Sequence, residues 1–376
     1  MKKNKKVFIC CTEQSGENIA YNICKRLQKY EYTIDGVGGK LSEEFFSIKY
    51  FDISIFKSLG LIEILLSIPK FIRIINFLFL KIIENQYDLV ILIDSPDFNY
   101  QLAKKLKKNN FKNKVIQIVA PTVWAWREGR AKKFALVYDE ILTLFKFEKK
   151  YFEKYGLKTT FIGHPVSLIQ SNKIEIRNEK KLIAFLFGSR DNEISKLYPY
   201  FKIIHDQLVN NTLNKYELFI PTLPHLKNKI LKLTKDWKLK IIISDDLKAN
   251  ENFYKKVFAS VTCSGTATLE ISKRMIPQII IYKLNFITFF IFSFLVRIRY
   301  ANILNILNKK MIITEVVNNQ LNKKNLILAF NKLITDQFYR NNQIQQVKKS
   351  IVEIESFSNP YDICEERIRE LISKAI

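Results

Sequence analysis

The chain of 376 residues is longer than one ordinary hydrophobic core supports, which predicts two domains of about 150 to 200 residues each. Its hydrophobic content of 48% excludes a disordered chain. The 61 basic and 36 acidic side chains give a net charge of +25. That excess favours a negatively charged partner: nucleic acid, an anionic membrane surface or a phosphorylated substrate.

In the first half of the chain, apolar runs of strand length alternate with amphipathic stretches. The predicted strands are residues 7–11, 88–94, 114–120, 140–145 and 159–165, and the predicted helices are 19–30, a stretch ending near 108, 127–137 and 148–156. A polar link at 170–181 follows. We therefore assign residues 1–170 to a first domain.

The same alternation restarts after the link and defines a second domain, residues 171–376. Its predicted strands are 182–188, 216–221, 239–244, 260–265 and 278–282, with helices between them and a helical, lysine-rich remainder beyond about residue 320. Unbroken apolar strands that alternate with helices are typical of parallel sheets covered on both faces. The sequence thus predicts an α/β protein of two Rossmann-like, doubly wound domains, with ligands bound in a cleft beyond the carboxyl ends of the strands.

Compartment and membrane contact can also be judged from the sequence. The five cysteines lack metal-ligand spacing, which indicates a reducing, cytoplasmic compartment. The apolar run before Thr12 is shorter than the about 7 to 15 residues of a secretory h-region, so it predicts a first strand. Residues 61–83 and 284–298 are apolar but interrupted or short against the about 20 residues that span a bilayer. Both are typical of helices lying in a membrane interface, with ordinary buried helices as the alternative.

Carboxylates stand at the ends of two predicted strands. Asp94 ends the strand "DLVILID", and Glu13 follows the first strand in "TEQSGE", where Ser15 and Gly16 permit a tight turn. An open sheet presents functional groups at these positions, so we interpret Asp94 as a chemical or binding residue. Asp97 falls where the next helix begins and is interpreted as a cap or first-turn charge.

Two turns in the second half are suited to an anion. "FGSRDNE" places Gly188 and Ser189 at a helix start, with Arg190 able to hold a phosphate through two hydrogen bonds. "CSGTATLE" offers small residues at a strand-to-helix turn, followed by a glutamate able to accept hydrogen bonds from a ribose: Ser264, Gly265, Thr266 and Glu270. The alternatives are a surface arginine and an ordinary turn.

"APTVWAWREGRAKK" combines two tryptophans with four basic residues, a composition that suits stacking on nucleic acid or lining a sugar or lipid-phosphate pocket. His164 in "GHP" is a candidate base or donor, or else a core histidine. His205 and His225 fall in helical patterns and are interpreted as structural. No His, Cys or Asp set has metal-ligand spacing, so no metal is predicted.

Taken in order, six blocks resemble one family: "IDSPDFNYQLAKKLK", "VAPTVWAWREGRAKK", "FIGHPV", "GSRDNEI", "SGTATLE" and "YANILNIL". From about residue 7 to about residue 330 the chain is similar to lipid-A-disaccharide synthase, a bacterial glycosyltransferase of two Rossmann-like domains with the GT-B architecture. The resemblance implies transfer of the sugar of UDP-2,3-diacylglucosamine to 2,3-diacylglucosamine 1-phosphate (lipid X), with inversion and without metal or other cofactor. The products would be a β-1,6-linked disaccharide and UDP.

The resemblance also implies roles for individual residues. Asp94 is the expected base or its close partner, with Glu13 as the rival base. UDP binding is implied for Gly188, Ser189, Arg190, Ser264, Gly265, Thr266 and Glu270. Substrate binding is implied for Ser15, Asn99, Trp124, Trp126, Arg127, His164 and Asn305. The chain departs from the family pattern at Thr12, Glu17, Phe187, Leu304 and Asn308 to Lys310, which bears on loop geometry and substrate fit.

The expected partners follow from the same resemblance. Because both substrates carry acyl chains, residues 61–83 and 284–298 are expected to dock on the anionic inner face of the bacterial inner membrane, with the protein cytoplasmic and peripheral. No nucleic acid is expected. The family's C-terminal helices can exchange between subunits, so the resemblance allows a homodimer and leaves the oligomeric state open. The alternatives are another GT-B enzyme acting on a UDP-sugar (a murein-type transferase or a UDP-GlcNAc epimerase), a nucleic-acid-binding protein and a catalytically inactive membrane scaffold.

Overall fold

The computed structural model describes residues 4–56, 61–125, 127–171, 180–212, 215–284 and 299–374. The chain divides into two compact units: Met1–Pro165 with Ile354–Ile376, and Val166–Glu353. The boundary between the units lies close to the predicted one at residue 170. The C-terminal residues, which we assigned to the second domain, belong instead to the first.

The first unit is built on a seven-stranded, wholly parallel sheet in the order β3-β2-β1-β4-β5-β6-β7. Its strands are β1 Lys6–Cys11, β2 Thr33–Gly38, β3 Ile48–Asp52, β4 Leu89–Ile93, β5 Lys114–Ile118, β6 Glu140–Thr143 and β7 Lys158–Phe161. Helices α1 to α5 connect them: Gln14–Leu27, Leu61–Asn85, Pro96–Lys108, Arg130–Ala135 and Lys149–Glu153.

The position of the sheet inside the unit follows from the side chains of its strands. Every residue of β4 is fully buried, because helices cover both faces of the sheet. One face packs in a cluster with α2 and α3, and the other packs against α1. Four of the five cysteines lie in these two clusters, and all five are buried free thiols.

The second unit contains a six-stranded parallel sheet in the order β10-β9-β8-β11-β12-β13. Its strands are β8 Lys181–Leu186, β9 Tyr216–Pro221, β10 Ile241–Ser244, β11 Val257–Cys263, β12 Gln278–Tyr282 and β13 Thr314–Val317. Its helices α6 to α12 are Asp191–Thr212, Pro224–Thr234, Leu247–Tyr254, Thr266–Lys273, Ile303–Asn308, Lys323–Thr335 and Gln337–Ile351. Two parallel-sheet Rossmann-like domains confirm the predicted fold class.

Helix α2 presents apolar side chains to solvent. It runs continuously through Pro69. One side of α2 is buried in the core, whereas the other leaves large apolar side chains exposed: Ile68, Ile72, Phe77, Leu80 and Ile83. In the parts of the chain that the structure describes, no helix is long and apolar enough to span a membrane. The other predicted docking segment, from 285 to 298, lies outside the described residues.

Helix α13 (Pro360–Ser373) packs on α1 and completes the first unit. Tyr361, Cys364 and Ile368 enter the same apolar cluster as the buried face of α1. Arg367 binds Glu140 of β6 through two hydrogen bonds, Nε to Oε1 at 2.8 Å and Nη2 to Oε2 at 2.7 Å. Glu140 is 1% exposed, so this ion pair fastens the end of the chain to the sheet inside the core.

We expect Arg367→Met to destabilise the first unit by about 3 kcal/mol, because it leaves the Glu140 carboxylate buried without its main cation. Urea unfolding followed by circular dichroism measures this loss. The control is Arg369→Met, which removes an exposed arginine over the Tyr30 ring on the same helix and should cost less than about 1 kcal/mol. Equal losses in the two variants would contradict a specific role for the Arg367–Glu140 pair.

Candidate active site

Asp94 sits at the carboxyl end of β4 in a backbone conformation that is unfavourable for residues other than glycine. Asp94 and Ser95 have φ values of 55° and 44°, both in the left-handed region. Strain of this kind costs about 1 to 3 kcal/mol per residue and persists only where neighbouring groups hold it. Pro96 then opens α3, and Asp97 occupies its first turn, as predicted. The geometry is that of a sharp strand-to-helix turn that projects the Asp94 carboxylate from the sheet edge.

Two buried side-chain amides hold this turn through hydrogen bonds to its backbone carbonyls. Asn99 Nδ2 donates to the Asp94 carbonyl at 2.8 Å and to the Ile93 carbonyl at 3.2 Å. Gln117 Nε2, from the neighbouring strand β5, donates to the same Asp94 carbonyl at 2.9 Å. Both amide side chains are completely buried. Asn99 and Gln117 therefore hold the Asp94 turn in position. The sequence analysis did not single out Gln117, and the contact of Asn99 with substrate stays a prediction.

The carboxylates of Asp94 and Glu13 are joined by a network of hydroxyl groups. Ser15 Oγ donates to Asp94 Oδ2 at 2.6 Å, and the Ser95 amide donates to Asp94 Oδ1 at 2.9 Å. Thr12 Oγ1 donates to Ser95 Oγ at 2.6 Å, and Ser95 Oγ donates to Glu13 Oε1 at 3.1 Å. The structure thus brings together the two predicted bases and Ser15, and it adds Thr12 and Ser95. Glu13 is exposed and Asp94 is partly exposed, so an incoming hydroxyl group has access to both.

The close approach of α1 to the Asp94 turn depends on Gly16. A Cβ atom at Gly16 would lie 2.9 Å from Cys11 Sγ and 3.3 Å from Asp94 Cβ. One residue on, the buried Glu17 carboxylate accepts hydrogen bonds from the amides of Gly39, Leu41 and Ser42. This carboxylate fixes the first turn of α1 to the loop after β2, so Glu17 serves the architecture of the site.

Trp124 is anchored by a buried carboxyl group that the sequence analysis did not single out. Its Nε1 donates to Glu148 Oε1 at 3.2 Å, and its ring meets Phe147 edge-on with centroids 5.4 Å apart. Burial raises the pKa of Glu148 to about 8. Glu148 Oε2 also accepts from the Phe145 amide at 3.1 Å. Glu148 thus holds the indole ring from the interior side.

Two other predicted residues of this region have different environments. His164 is buried and stacks on Phe145 with ring centroids 5.5 Å apart. Burial lowers the pKa of His164 to about 4, so its imidazole is neutral at neutral pH. Arg127 is exposed in a left-handed conformation with φ of 54°, whereas Trp126 lies outside the described residues.

In the second unit, Gly188, Ser189 and Arg190 form the predicted turn between β8 and α6. The amides of Ser189 and Arg190 donate to Glu193 Oε2 at 3.1 and 3.2 Å. The Arg190 side chain is 72% exposed, with its Nη1 3.7 Å from Glu193 Oε1. A phosphate at these two amides would have to replace the Glu193 carboxylate, a competitor that the sequence analysis did not identify.

The turn between β11 and α9 has the predicted strand-to-helix form. Gly265 adopts φ of 145°, a conformation that side chains with a Cβ rarely take, and open space surrounds it. Ser264 is partly exposed and Thr266 is exposed. Burial raises the pKa of Glu270, and nearby Arg274, with its Nη1 4.0 Å from Glu270 Oε2, opposes that shift. This turn is accessible to a ligand.

Asn305 has a structural task. Its Oδ1 accepts from the amides of Ile312 and Ile313, and its Nδ2 donates to the Ile313 carbonyl and to Glu315. The side chain is completely buried and its hydrogen-bonding groups are used within the protein. In this geometry Asn305 shapes the loop before β13, and its contact with substrate stays a prediction.

The groups brought together at these turns are hydroxyls, carboxylates, amides and guanidinium groups. Among the described residues, no group of three or more His, Cys, Asp or Glu side chains is arranged to hold a metal ion. The first unit offers a carboxylate at a strained turn, which suits proton abstraction from a hydroxyl group. The second offers a glycine turn and an exposed arginine, which suit an anionic ligand.

A sequence model of the family described as lipid-A-disaccharide synthetase matches residues 7–376. The chain belongs to the lipid-A-disaccharide synthase family. The lipid-A-disaccharide synthase of Rickettsia typhi is 34% identical over 360 residues, which cover 92% of this chain and 93% of that protein. The one of Acinetobacter baylyi is 30% identical, with coverage of 88% and 89%.

The fold of this lipid-A-disaccharide synthase family member is similar to that of MurG from Acinetobacter baumannii. That structure superposes with a TM-score of 0.62 at 12% sequence identity, covering 97% of this chain and 99% of MurG. At this identity the likeness concerns the fold alone, and it confirms the GT-B architecture. The protein is a glycosyltransferase of lipid A biosynthesis, and the family match favours this function over a murein-type transferase or a UDP-GlcNAc epimerase.

Proposed function

We propose that the protein transfers diacylglucosamine from UDP-2,3-diacylglucosamine to the 6-hydroxyl of 2,3-diacylglucosamine 1-phosphate. The observation that carries this proposal is the network at the end of β4, in which Ser15 and the Ser95 amide orient the Asp94 carboxylate. The strained turn thus holds the Asp94 carboxylate in position to accept the proton of a sugar hydroxyl group placed against it. Family membership supplies the reaction class.

The step is a single displacement. The acceptor oxygen forms a bond to the anomeric carbon, the bond between that carbon and the diphosphate oxygen breaks, and UDP departs with the electron pair. The hydroxyl proton passes to Asp94, with Glu13 as the rival base within the same network. Because attack comes from the face opposite the diphosphate, an α-linked donor gives a β-linked product.

We assign the UDP portion to the second unit. The turn of Ser264, Gly265 and Thr266 is open to a ligand, and the exposed Arg190 guanidinium is able to bind the diphosphate. Positive charge aimed at a departing diphosphate stabilises the transition state and lowers the barrier. In this proposal the diphosphate, on binding, displaces the Glu193 carboxylate from the amides of Ser189 and Arg190, because two anions cannot accept from the same N–H groups.

The test is an assay of UDP release with the two acylated sugars supplied separately and together. We expect UDP only when both are present, and thin-layer chromatography should show a new disaccharide. UDP-GlcNAc should not replace the acylated donor. Release of UDP from UDP-GlcNAc at a comparable rate would overturn the assignment of the acylated substrate.

We further propose that the protein docks on the anionic inner face of the inner membrane through α2. The proposal is supported by the exposed apolar side chains of α2 and by the nearby cations Lys70 and Arg73, each worth about 1 kcal/mol beside anionic lipid. An apolar helix face with flanking cations is typical of interfacial helices. Acylated substrates would then enter from the bilayer.

We expect the protein to sediment with phosphatidylglycerol vesicles at low salt and to be released at high salt. The double variant Ile72→Ser with Leu80→Ser should lose most of this binding, because these side chains are 52% and 53% exposed on α2. The matched control is Leu247→Ser with Leu328→Ser, two leucines of the second unit that are 77% and 69% exposed. Equal sedimentation of the two double variants would contradict docking through α2.

A further inference from the structure

A cleft on the first unit lies between the start of α3 and the start of α4. Its volume is about 260 Å³. Pockets for drug-sized ligands begin at roughly 300 Å³, so this cleft fits one small head group. Two segments line it: Asp97, Tyr100 and Gln101 from α3, and Arg127, Arg130, Lys133 and Phe134 from α4 and the residues before it.

Two aromatic rings form an apolar surface in the cleft. Tyr100 stacks on Phe134 with centroids 5.5 Å apart and an angle of 17° between the ring planes. Phe134 is 1% exposed and therefore part of the core, which fixes the position of the pair. A stacked ring pair with polar groups at its rim suits a sugar, whose C–H face packs on aromatic rings while its hydroxyl groups reach polar side chains.

Three cationic side chains line the cleft against one carboxylate. Arg130 Nη2 lies 2.6 Å from Asp97 Oδ1, and the Arg130 guanidinium carbon lies 5.9 Å from the Phe134 ring centre. The Arg130 side chain is 15% exposed, so the aspartate and the ring hold it in one orientation. Asp97 is the one carboxylate among the lining residues, so the three cations give the lining an excess of positive charge. A phosphomonoester, with about two negative charges, complements that excess.

We propose that this cleft binds the phosphate of the acylated sugar phosphate acceptor, with the sugar lying toward Tyr100. The inference rests on the proposed function and deepens it. In a glucosamine, C1 carries the phosphate and C5 carries the 6-hydroxymethyl group, and both carbons are bonded to the ring oxygen. A site for the phosphate therefore belongs near the base but separate from it. The same β4–α3 junction carries Asp94 at the strand end and Asp97 at the cleft.

The acyl chains of such an acceptor have a place on the other side of α3. Phe98, next to Asp97, packs edge-on against Phe71 of α2 with centroids 6.2 Å apart. Helix α3 thus separates the cationic cleft from α2, whose outer face is apolar. Around α3, the cationic cleft suits the phosphate, Tyr100 suits the sugar, and the apolar face of α2 suits the acyl chains.

Lys133→Gln tests the assignment in steady-state kinetics, with Lys132→Gln as the matched control. Both lysines are exposed neighbours on α4, but only Lys133 lines the cleft. Loss of one charge-assisted hydrogen bond should raise the KM for the acceptor about tenfold in Lys133→Gln and leave the KM for the UDP-sugar unchanged. Equal changes in the two variants, or a rise in the donor KM, would overturn the proposal.

A binding measurement with soluble probes is independent of turnover. By calorimetry, glucosamine 1-phosphate should bind the wild-type protein and Lys132→Gln about equally, and Lys133→Gln about tenfold more weakly. Glucosamine without phosphate should bind none of them detectably. Binding of inorganic phosphate as tight as that of the sugar phosphate, or binding of glucosamine alone, would overturn a sugar phosphate site.

Sedimentation with anionic vesicles distinguishes two ligands for the cleft: the phosphate of a membrane lipid and the phosphate of the acceptor sugar. Both lysine variants should sediment with phosphatidylglycerol vesicles to the same extent, and selective loss in Lys133→Gln would overturn the assignment to the acceptor. If the wild-type protein releases no UDP but binds glucosamine 1-phosphate with the expected Lys133 dependence, the proposed reaction fails while the phosphate site stands. The two ideas are therefore tested separately.

Discussion

Asp94→Asn is expected to lower kcat by about 10² to 10⁴-fold, because an amide cannot accept the proton of the acceptor hydroxyl. The variant should remain folded. The Asn Oδ1 can still accept from the Ser95 amide, and the Ser15 hydroxyl can rotate to accept from the new amide group. Initial rates with both acylated sugars measure kcat, and the melting temperature shows whether the variant is folded.

Asp52→Asn is the matched control for this variant. Asp52 is the last residue of β3 in the same sheet, and its carboxylate binds Lys49 and the Ser54 amide. We expect kcat to stay near the wild-type value. Glu13→Gln discriminates between the two bases: a larger loss there than in Asp94→Asn would transfer the role of base to Glu13. Near-normal rates in both variants would overturn base catalysis at this turn.

Glu148→Gln is expected to make stability less sensitive to pH. Burial raises the pKa of Glu148 from 4.5 to about 8 in the folded protein. Between these values the folded state holds a proton that the unfolded chain has lost. The contribution of this proton to the free energy of unfolding is therefore complete below pH 4.5 and is lost as pH rises through about 8. The full effect is on the order of 4 kcal/mol, or roughly 10 °C in Tm for a domain of this size.

Gln does not reproduce both contacts of Glu148, whose two oxygens accept from Trp124 Nε1 and from the Phe145 amide. The amide has only one oxygen, so the variant loses one of these hydrogen bonds at every pH, but it does not titrate. We therefore expect a lower Tm for the variant than for the wild type near pH 5, and a difference that shifts in favour of the variant as pH rises to 9. Glu153→Gln, an exposed glutamate paired with Lys149, is the control and should follow the wild type at each pH. A constant difference between Glu148→Gln and the wild type across this range would show that Glu148 does not titrate as described.

The strands that the sequence predicted contain apolar runs, which a local pattern is sufficient to reveal. β1 and β4 are continuous apolar runs, and both lie in the middle of the sheet. β2 was missed because "TIDGVG" contains two glycines and an aspartate, residues that are depleted in strands. Asp35 is nevertheless buried there, since it accepts from the Tyr87 hydroxyl at 2.6 Å and from the Ile48 amide at 2.9 Å. Those partners are distant along the chain, and a local pattern does not reveal them.

In the candidate site, too, some features follow from the sequence pattern and others depend on contacts between distant parts of the chain. The topology of a parallel sheet places Asp94 and Glu13 at one edge, because β1 and β4 are adjacent strands, and the sequence was sufficient to predict this. The tasks of Asn99 and Asn305 depend on which carbonyls and amides lie within 3 Å of a side chain, which requires three-dimensional placement. Gln117 carried a usable signal, a single amide inside the apolar run "KVIQIVA". A polar residue in a buried strand needs partners, and here they are the carbonyl of Asp94 in the active-site turn and the carbonyl of Val119.

The return of α13 to the first unit has a consequence for how the protein is made. As the chain leaves the ribosome, the second unit, Val166–Glu353, is synthesised whole before the last piece of the first unit emerges. Until then the apolar face of α1 lacks Tyr361, Cys364 and Ile368, and Glu140 lacks Arg367. The first unit of the nascent protein therefore stays incomplete until α13 has been synthesised, and it is the part to which chaperones have the longest opportunity to bind.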